Sequence, residues 1–523
     1  MLYFYFAKQF FKHKTMKPYL KILLMMLLLF ITTFSLKAQN NFLKIIDEGK
    51  AEIGLGAVET PTGDYVIVGT AGDSTNATGN WDGYIVKINS YGDTLWTRTY
   101  GGYGTDTYSS VICKGNNYIV VGSEFVFGLS WQGWLVEYDE NGNRIAEKLF
   151  GGNAYKADGF ADIIATTDGG YMVSGTTNSF GTDSTSDIWI LKLDSAFDTI
   201  WTKHYDLGVI EGTQSYNDNG GHIIPFKNNE YMFTSGTCTS GCNGSDPHSF
   251  ATYFVIDSVG NIIKLVSFKE GIKTVFACVR PTNDGGAILC GAISLKDTAI
   301  FAGMRSENMW VVKLDSNADT IWTKEIGKTG VYDGGFSIFQ TSDGGYFLDS
   351  YSEQGDCPGF DVDNVWLLKL NSTGDTTWVR KWGKERNDDT WWAIPTSDGG
   401  CLAVGSTNAN SIPVVAAIPG NSNLLIIKTD ANGNFSSTGK EFSENESLGI
   451  YPNPAANYLT IDTRDLQSKN YNIRIYDDVG DLVLEKCLSD SKTTLNISSL
   501  PVGMYVAEIK TEKGVMVKKF VKD

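Results

Sequence analysis

The chain has 523 residues, with 57 glycines, 12 prolines, 25 tyrosines, 27 phenylalanines and 13 tryptophans. At roughly 150 residues per domain that length allows about three domains, although one large all-β ring absorbs most of it. Forty-three Lys plus Arg against 60 Asp plus Glu leave a formal charge of −17, a surface that repels phosphate backbones and excludes nucleic acid as a partner.

The first element in chain order is a leader. Residues 16–38 open with Met16-Lys17-Pro18-Tyr19-Leu20-Lys21, continue in an apolar run from Ile22 to Phe34 and end in Ser35-Leu36-Lys37-Ala38. That is the basic, apolar and small-residue layout of a secretory signal peptide. It predicts Sec export into the periplasm with cleavage between Ala38 and Gln39. The run is short for a bilayer span of about 20 residues. No later stretch is longer, so the expected mature chain has no membrane-spanning segment.

Eight cysteines are spread over a chain too large to need staples. Cys113, Cys278, Cys290 and Cys401 fall in apolar strand patterns and read as buried thiols. Cys238 and Cys242 share a Gly/Ser-rich loop, where a local disulfide is one reading and a free pair the other. A zinc site there lacks ligands, since only His248 is near.

From residue 41 to 434 the chain repeats. The fullest copy runs from Asp158-Gly159-Phe160 through Asp168-Gly169-Gly170-Tyr171 to Gly175, then Asp187-Ile188-Trp189-Ile190, and finally Asp198-Thr199-Ile200-Trp201. The second-strand glycine recurs at Gly69, Gly122, Gly175, Gly236, Gly291 and Gly405, with Ser350 in the equivalent place. Each copy holds four strands separated by turn residues. Seven four-stranded units repeated in this way predict an all-β fold, a seven-bladed β-propeller over residues 39–434. The seventh copy lacks its fourth strand, whereas residues 41–46 form a spare one. In register Phe42 falls where Trp201 and Trp322 sit, so residues 41–46 are expected to complete blade seven and close the ring. The recurring tryptophans then read as blade packing, and Asp158, Asp333 and Asp388 as turn or inter-blade hydrogen-bonding residues. The repeat region resembles secreted bacterial β-propeller repeat proteins, a likeness that implies the fold and leaves activity open.

After a polar linker at residues 435–446, short strand patterns resume over residues 447–523 without the blade repeat, as in a small Ig-like β-sandwich. Ile450-Tyr451-Pro452-Asn453-Pro454-Ala455, Leu500-Pro501-Val502-Gly503-Met504-Tyr505 and the Lys-Lys-Phe-Val-Lys ending resemble the type A C-terminal sorting domain of the bacterial type IX secretion system. The resemblance implies type IX machinery as a partner, and a passenger released or held on the outer cell surface. Tyr451, Pro452, Asn453, Pro454, Gly503 and Tyr505 are its motif residues. The prolines imply a rigid, edge-like first strand, and Gly503 a tight turn before the penultimate one.

In an up-and-down blade the second-to-third turns and the inter-blade links emerge on one face, and here they are long and varied. That rim is the expected binding surface. Trp131, Trp391 and Trp392 lie off the blade register and suit stacking on a sugar, with packing as the alternative. Asp356, Asp361 and Asp363 share one rim loop and suit calcium through hard oxygens, with a solvated acidic loop as the alternative. No cofactor motif is present. Without a nucleophile elbow, phosphate loop or zinc motif, the expected role is non-catalytic binding of an extracellular glycan or protein. The alternative is a carboxylate-dependent glycoside hydrolase or polysaccharide lyase, whose acids come from separate blades and leave no local motif.

Overall fold

The computed structural model describes residues 41–523 apart from 73–80, 153–154, 182–184, 211–216, 228, 239–248, 270–272, 295–306, 328–332, 353–363, 383–387, 408–421, 435–448, 464–470, 478–481, 489 and 512–513. The leader with Ala38 and Gln39, the linker, Cys242, Asp356, Asp361 and Asp363 lie outside the described residues. The side chain of Cys238 does too.

Seven four-stranded antiparallel sheets follow one another along the chain. Their innermost strands, which number blades 1 to 7, are Ala51–Glu59, Thr107–Lys114, Asp158–Ala165, Asn217–Pro225, Lys273–Pro281, Asp333–Gln340 and Asp388–Pro395. Each packs beside that of the next blade, and the seventh packs beside the first, so the sheets form a closed seven-bladed propeller. The seventh sheet takes its fourth strand from the other end of the chain. Phe42–Ile46 pairs antiparallel with Asn423–Thr429, Phe42 opposite Lys428. Trp201 stands opposite Lys192 and Trp322 opposite Lys313, so Phe42 occupies their register.

Local chemistry explains why each sheet forms. Every innermost strand carries a β-bulge near its middle, which swings a carbonyl towards the second strand. A Cβ at Gly175 would stand 2.0 Å from the Gly159 oxygen, and one at Gly69, Gly122, Gly291 or Gly405 1.9 Å from the matching carbonyl. In these five blades a glycine makes room for the carbonyl, whereas Ser235, and not Gly236, stands at that place in blade 4 and Ser350 in blade 6. The turn after the innermost strand is held by a lysine from the third strand. Lys192, Lys313, Lys369 and Lys428 each place Nζ 2.8 Å from Asp168, Asp284, Asp343 and Asp398. The ammonium pulls the Asp168 carboxyl down to about 2. Against the opposing effect of burial, the same pairing takes Asp284 and Asp343 to about 2. Blade 2 reverses the polarity, pairing Glu137 with Lys114 at 3.1 Å.

Neighbouring blades are joined at their outer strands. Trp96 lies over Gly142 of the next blade, Trp201 over Gly260, Trp322 over Gly374 and Trp378 over Gly433, all glycines at positive φ. Phe42 lies over Gly92 of blade 1 in the same way, so the closing strand reproduces the packing as well as the pairing.

Residues 449–523 build a three-stranded sheet (Gly449–Tyr451, Tyr458–Asp462, Lys492–Asn496) and a four-stranded one in the order Leu482–Leu488, Tyr471–Tyr476, Gly503–Thr511, Gly514–Lys522. The two enclose their own core around Ile461, Ile473, Ile475, Leu495 and Phe520, as in an Ig-like sandwich.

Two expectations follow. Phe42→Ala should lower stability by about 3 kcal/mol, as a large-to-small core change does, and deletion of residues 39–47 should lower it further. Urea unfolding reads both, and parent-like midpoints would show that the ring does not need its closing strand. The second concerns Glu52, at the corner between the closing strand and blade 1. It is fully buried, with Oε2 unpartnered, and its charge acts on the Tyr84 hydroxyl, which is also unpartnered. Burial raises its carboxyl from 4.5 to about 7. The folded chain therefore keeps a proton that the unfolded chain releases, and stability from this group falls as pH rises from about 4.5 through 7. Glu52→Gln should flatten that slope in unfolding measured from pH 4 to 8.

Candidate functional site

Each innermost strand has one edge paired to the second strand and the other edge facing the ring axis. The bulged residues, Trp391, Phe336 and His222 among them, are half-buried there. Residues just after the bulge reach the next blade. Ser110 Oγ donates to Asp162 Oδ1 at 2.7 Å, and Ser337 Oγ donates to the Ala393 carbonyl at 2.9 Å. Asp162 also accepts the amides of Ile163 at 2.9 Å and Ile223 at 3.2 Å. His222 Nδ1 lies 3.4 Å from Asp162 Oδ2, within ion-pair range but off-angle for a hydrogen bond. Burial opposes the Asp162 charge, yet His222, Arg280 and Ser110 hold its carboxyl below the usual range. In blade 6, Asp349 accepts Thr390 Oγ1 at 2.5 Å; burial pushes its carboxyl well up.

Trp392 is buried and joins three blades. The Arg280 guanidinium of blade 5 sits 4.2 Å above its ring, and the His222 imidazole of blade 4 lies 4.6 Å away, tilted by 40°. Its indole is thus occupied by protein groups. Trp391 is half-buried at the axis. Neither tryptophan belongs to the loop-bearing rim, because both sit within a strand whose bulge turns them inward. Sequence reasoning did not find Asp162, His222 and Arg280 as a group. A usable signal exists: Asp162 and Arg280 are charges inside otherwise apolar innermost strands.

Trp131 is on the rim, but on a hairpin. Strands Asn117–Val126 and Ser130–Tyr138 pair to their ends, with Trp131 opposite Phe125. The Leu129 amide closes the turn on the Val126 carbonyl at 2.9 Å, and Gly128 and Ser130 take positive φ. Trp131 packs edge-on against Phe125 at 5.2 Å, and its Nε1 donates to the Thr105 carbonyl at 2.8 Å. Beside it Phe127 is 86% exposed, Tyr103 74% and Tyr155 84%. The neighbouring links approach this hairpin and the next: Gly104 abuts Phe125, Gly151 abuts Gln132, and Gly152 abuts Ser179 and Phe180. At its base is Glu124, whose carboxyl is raised to about 7 by burial, then by Glu147 and Asp106.

The recurring acids at the strand starts are structural. Asp158 accepts Thr177 Oγ1 at 2.6 Å, Ser179 Oγ at 2.6 Å and the Gly152 amide at 3.1 Å, tying the inter-blade link to the rim loop. Asp106 holds the amides of Phe125 and Gly102 likewise, at 2.7 and 2.8 Å, and Asp388 accepts Thr407 Oγ1. Among the described residues no group of three or more His, Cys, Asp or Glu is placed to hold a metal. Cys278, Cys290 and Cys401 are buried free thiols and Cys113 a half-buried one.

In the sandwich, the Tyr451–Pro452 and Asn453–Pro454 bonds are cis. The Asn453 side chain lies on the C-terminal strand, where it accepts the Val521 amide at 2.9 Å and donates to the Lys519 carbonyl at 3.3 Å. Tyr451 donates to Asp462 at 3.1 Å. Tyr505 donates to the Pro501 carbonyl at 2.8 Å and stacks on Phe520. Gly503 departs from expectation. It begins its strand outside the left-handed region, and a Cβ there would meet nothing nearer than 3.9 Å, so the preceding turn does not demand glycine.

Residues 449–523 match the secretion system C-terminal sorting domain family. No curated protein matches the chain. Among solved structures it is similar to an α-L-arabinanase of Penicillium chrysogenum complexed with arabinobiose, at 11% identity over 75% of this chain and 98% of that one, with a TM-score of 0.39. It is also similar to puromycin hydrolase (9% identity, 88% and 58%, TM-score 0.41) and to luciferin-regenerating enzyme (10%, 62% and 90%, TM-score 0.35). At such scores nothing about activity follows. By its own sheets and by that match, the chain is a seven-bladed β-propeller protein carrying a type IX secretion system C-terminal sorting domain.

Proposed function

We propose that the propeller is a passenger that binds an extracellular glycan or protein through the loop-bearing rim of blades 2 and 3, without catalysis. The sorting domain indicates delivery to the cell surface or the extracellular space. In this reading residues 1–38 are a leader removed after Sec export, 39–434 the passenger, 435–446 a linker and 447–523 the sorting unit. One observation carries the binding assignment: Tyr103, Phe127, Trp131 and Tyr155 stand exposed on the links and hairpin of blades 2 and 3. Large rigid aromatics left in water at a loop rim are what sugar rings and protein anchors stack on. Asp162, the acid nearest the crossing of Trp392, His222 and Arg280, is committed to joining blades 2, 3 and 4, which takes it out of reach of a substrate. Phe127→Ala and Trp131→Ala should each weaken binding on a glycan array or to a captured protein ligand about tenfold or more, a typical cost for an interface aromatic. Parent-like binding by both would end the rim assignment.

A second reading, a carboxylate-dependent hydrolase, is favoured by Glu124. A carboxyl near 7 beside other acids and below an aromatic surface has the character of a general acid. If the rim only binds, the secreted protein should release no reducing ends from a polysaccharide panel, and Glu124→Gln should bind as the parent does. Release of sugar by the parent, abolished in Glu124→Gln, would favour the hydrolase.

A further inference from the structure

We propose that the ring axis holds a second binding site, taking a sugar acid whose carboxylate is received by Arg280 with His222 beside it. The site is distinct from the aromatic rim and does not depend on it.

Arg280 is half-buried on the innermost strand of blade 5, and its one side-chain hydrogen bond runs to the neighbouring Val279 carbonyl at 3.3 Å. Among the described residues no carboxylate lies within ion-pair distance of it. Asp162 is the acid whose titration it influences, but the Asp162 oxygens are already occupied by Ser110, Ile163 and Ile223. Holding a guanidinium partly out of water without a counter-ion is costly.

The repeat does not demand this residue. At the same register the other blades carry Val58, Ile112, Ile164, Ile224, Phe339 and Ile394, so an apolar side chain serves the packing. What Arg280 has instead is Trp392 beneath it. The cation–π contact holds the guanidinium 4.2 Å over the indole, and beyond the donor given to Val279 its N–H groups suit a carboxylate.

The surroundings narrow the ligand class. His222 packs on the Trp392 ring that Arg280 covers, and its Nδ1, 3.4 Å from Asp162 Oδ2, makes no hydrogen bond. Trp391 and Phe336 bring half-buried aromatic surface to the same inner ring, suited to the C–H face of a pyranose. One guanidinium balances one negative charge, which fits a carboxylate better than a doubly charged phosphate. A carboxylate on a pyranose ring is a uronic acid.

Calorimetric titration of the secreted protein tests this with glucuronate, its methyl ester, glucose and acetate. Glucuronate should bind saturably, and the other three at least about tenfold more weakly, as loss of charge-assisted hydrogen bonds or of ring stacking implies. Arg280→Gln should remove glucuronate binding while the unfolding midpoint stays near the parent's. Arg280→Lys keeps the charge without the fork; it should also lose at least about tenfold, and it carries the test if the glutamine variant fails to fold. No saturable glucuronate binding, parent-like affinity in the variant that folds, or acetate binding as tightly as glucuronate would each overturn the proposal.

Discussion

The propeller depends on one pairing, that of Phe42–Ile46 with Asn423–Thr429. Without it the seventh sheet ends on a buried apolar strand with its ladder groups unpaired, and the first and last blades are held by side-chain packing and a few hydrogen bonds, from the Glu52 amide to the Ser422 carbonyl at 2.8 Å and from Ser397 to Glu59 at 2.6 Å. With it, the two ends of a chain segment of nearly 400 residues become one sheet. The interaction is not generic edge pairing. Phe42 meets Lys428 in the register of the outer tryptophans and covers Gly92 as they cover their own turn glycines. The closing strand is therefore read by both neighbours, and slippage by one residue would turn Phe42 to the wrong face.

A second constraint works inside every blade. The bulge in the innermost strand pushes a carbonyl at the second strand, and in five of the blades the glycine opposite yields to it. The bulge is also what aims side chains at the axis or across to the next blade. Once the backbone supplies that geometry, the side chain after the bulge is free to differ. It is Ser110, Asp162, Cys278, Ser337 or Trp392 according to the blade. The scaffold repeats while the chemistry along the axis does not, and the asymmetry of Asp162, His222, Arg280 and Trp392 arises there.

The sandwich solves a different problem. Its core is self-contained, and its motif residues act on the last strand: Asn453 supplies an acceptor and a donor to Val521 and Lys519, much as a neighbouring strand would. The C-terminal residues of the chain are thereby ordered by residues some 70 positions earlier. Tyr505 and Phe520 stack across the same two strands, so the motif is a set of contacts that fixes one end of the sheet.

By itself the sequence determined the blade count, the closing strand, the turns and the sorting motif, because each is local or periodic. Strand alternation, Asp-Gly-Gly turns and the glycine opposite a bulge recur about every 55 residues, and Phe42 betrays its partner by register. What only the tertiary structure decided lies where distant blades meet. Trp131 stands on an extended hairpin because Gly128 and Ser130 accept positive φ, which strand patterning does not reveal. Trp391 and Trp392 look like loop aromatics until the bulge turns them to the axis. His222, Arg280 and Trp392 are up to 170 residues apart, and no spacing rule joins them. They touch because the ring closes, bringing the inner strands of blades 4, 5 and 7 around one axis.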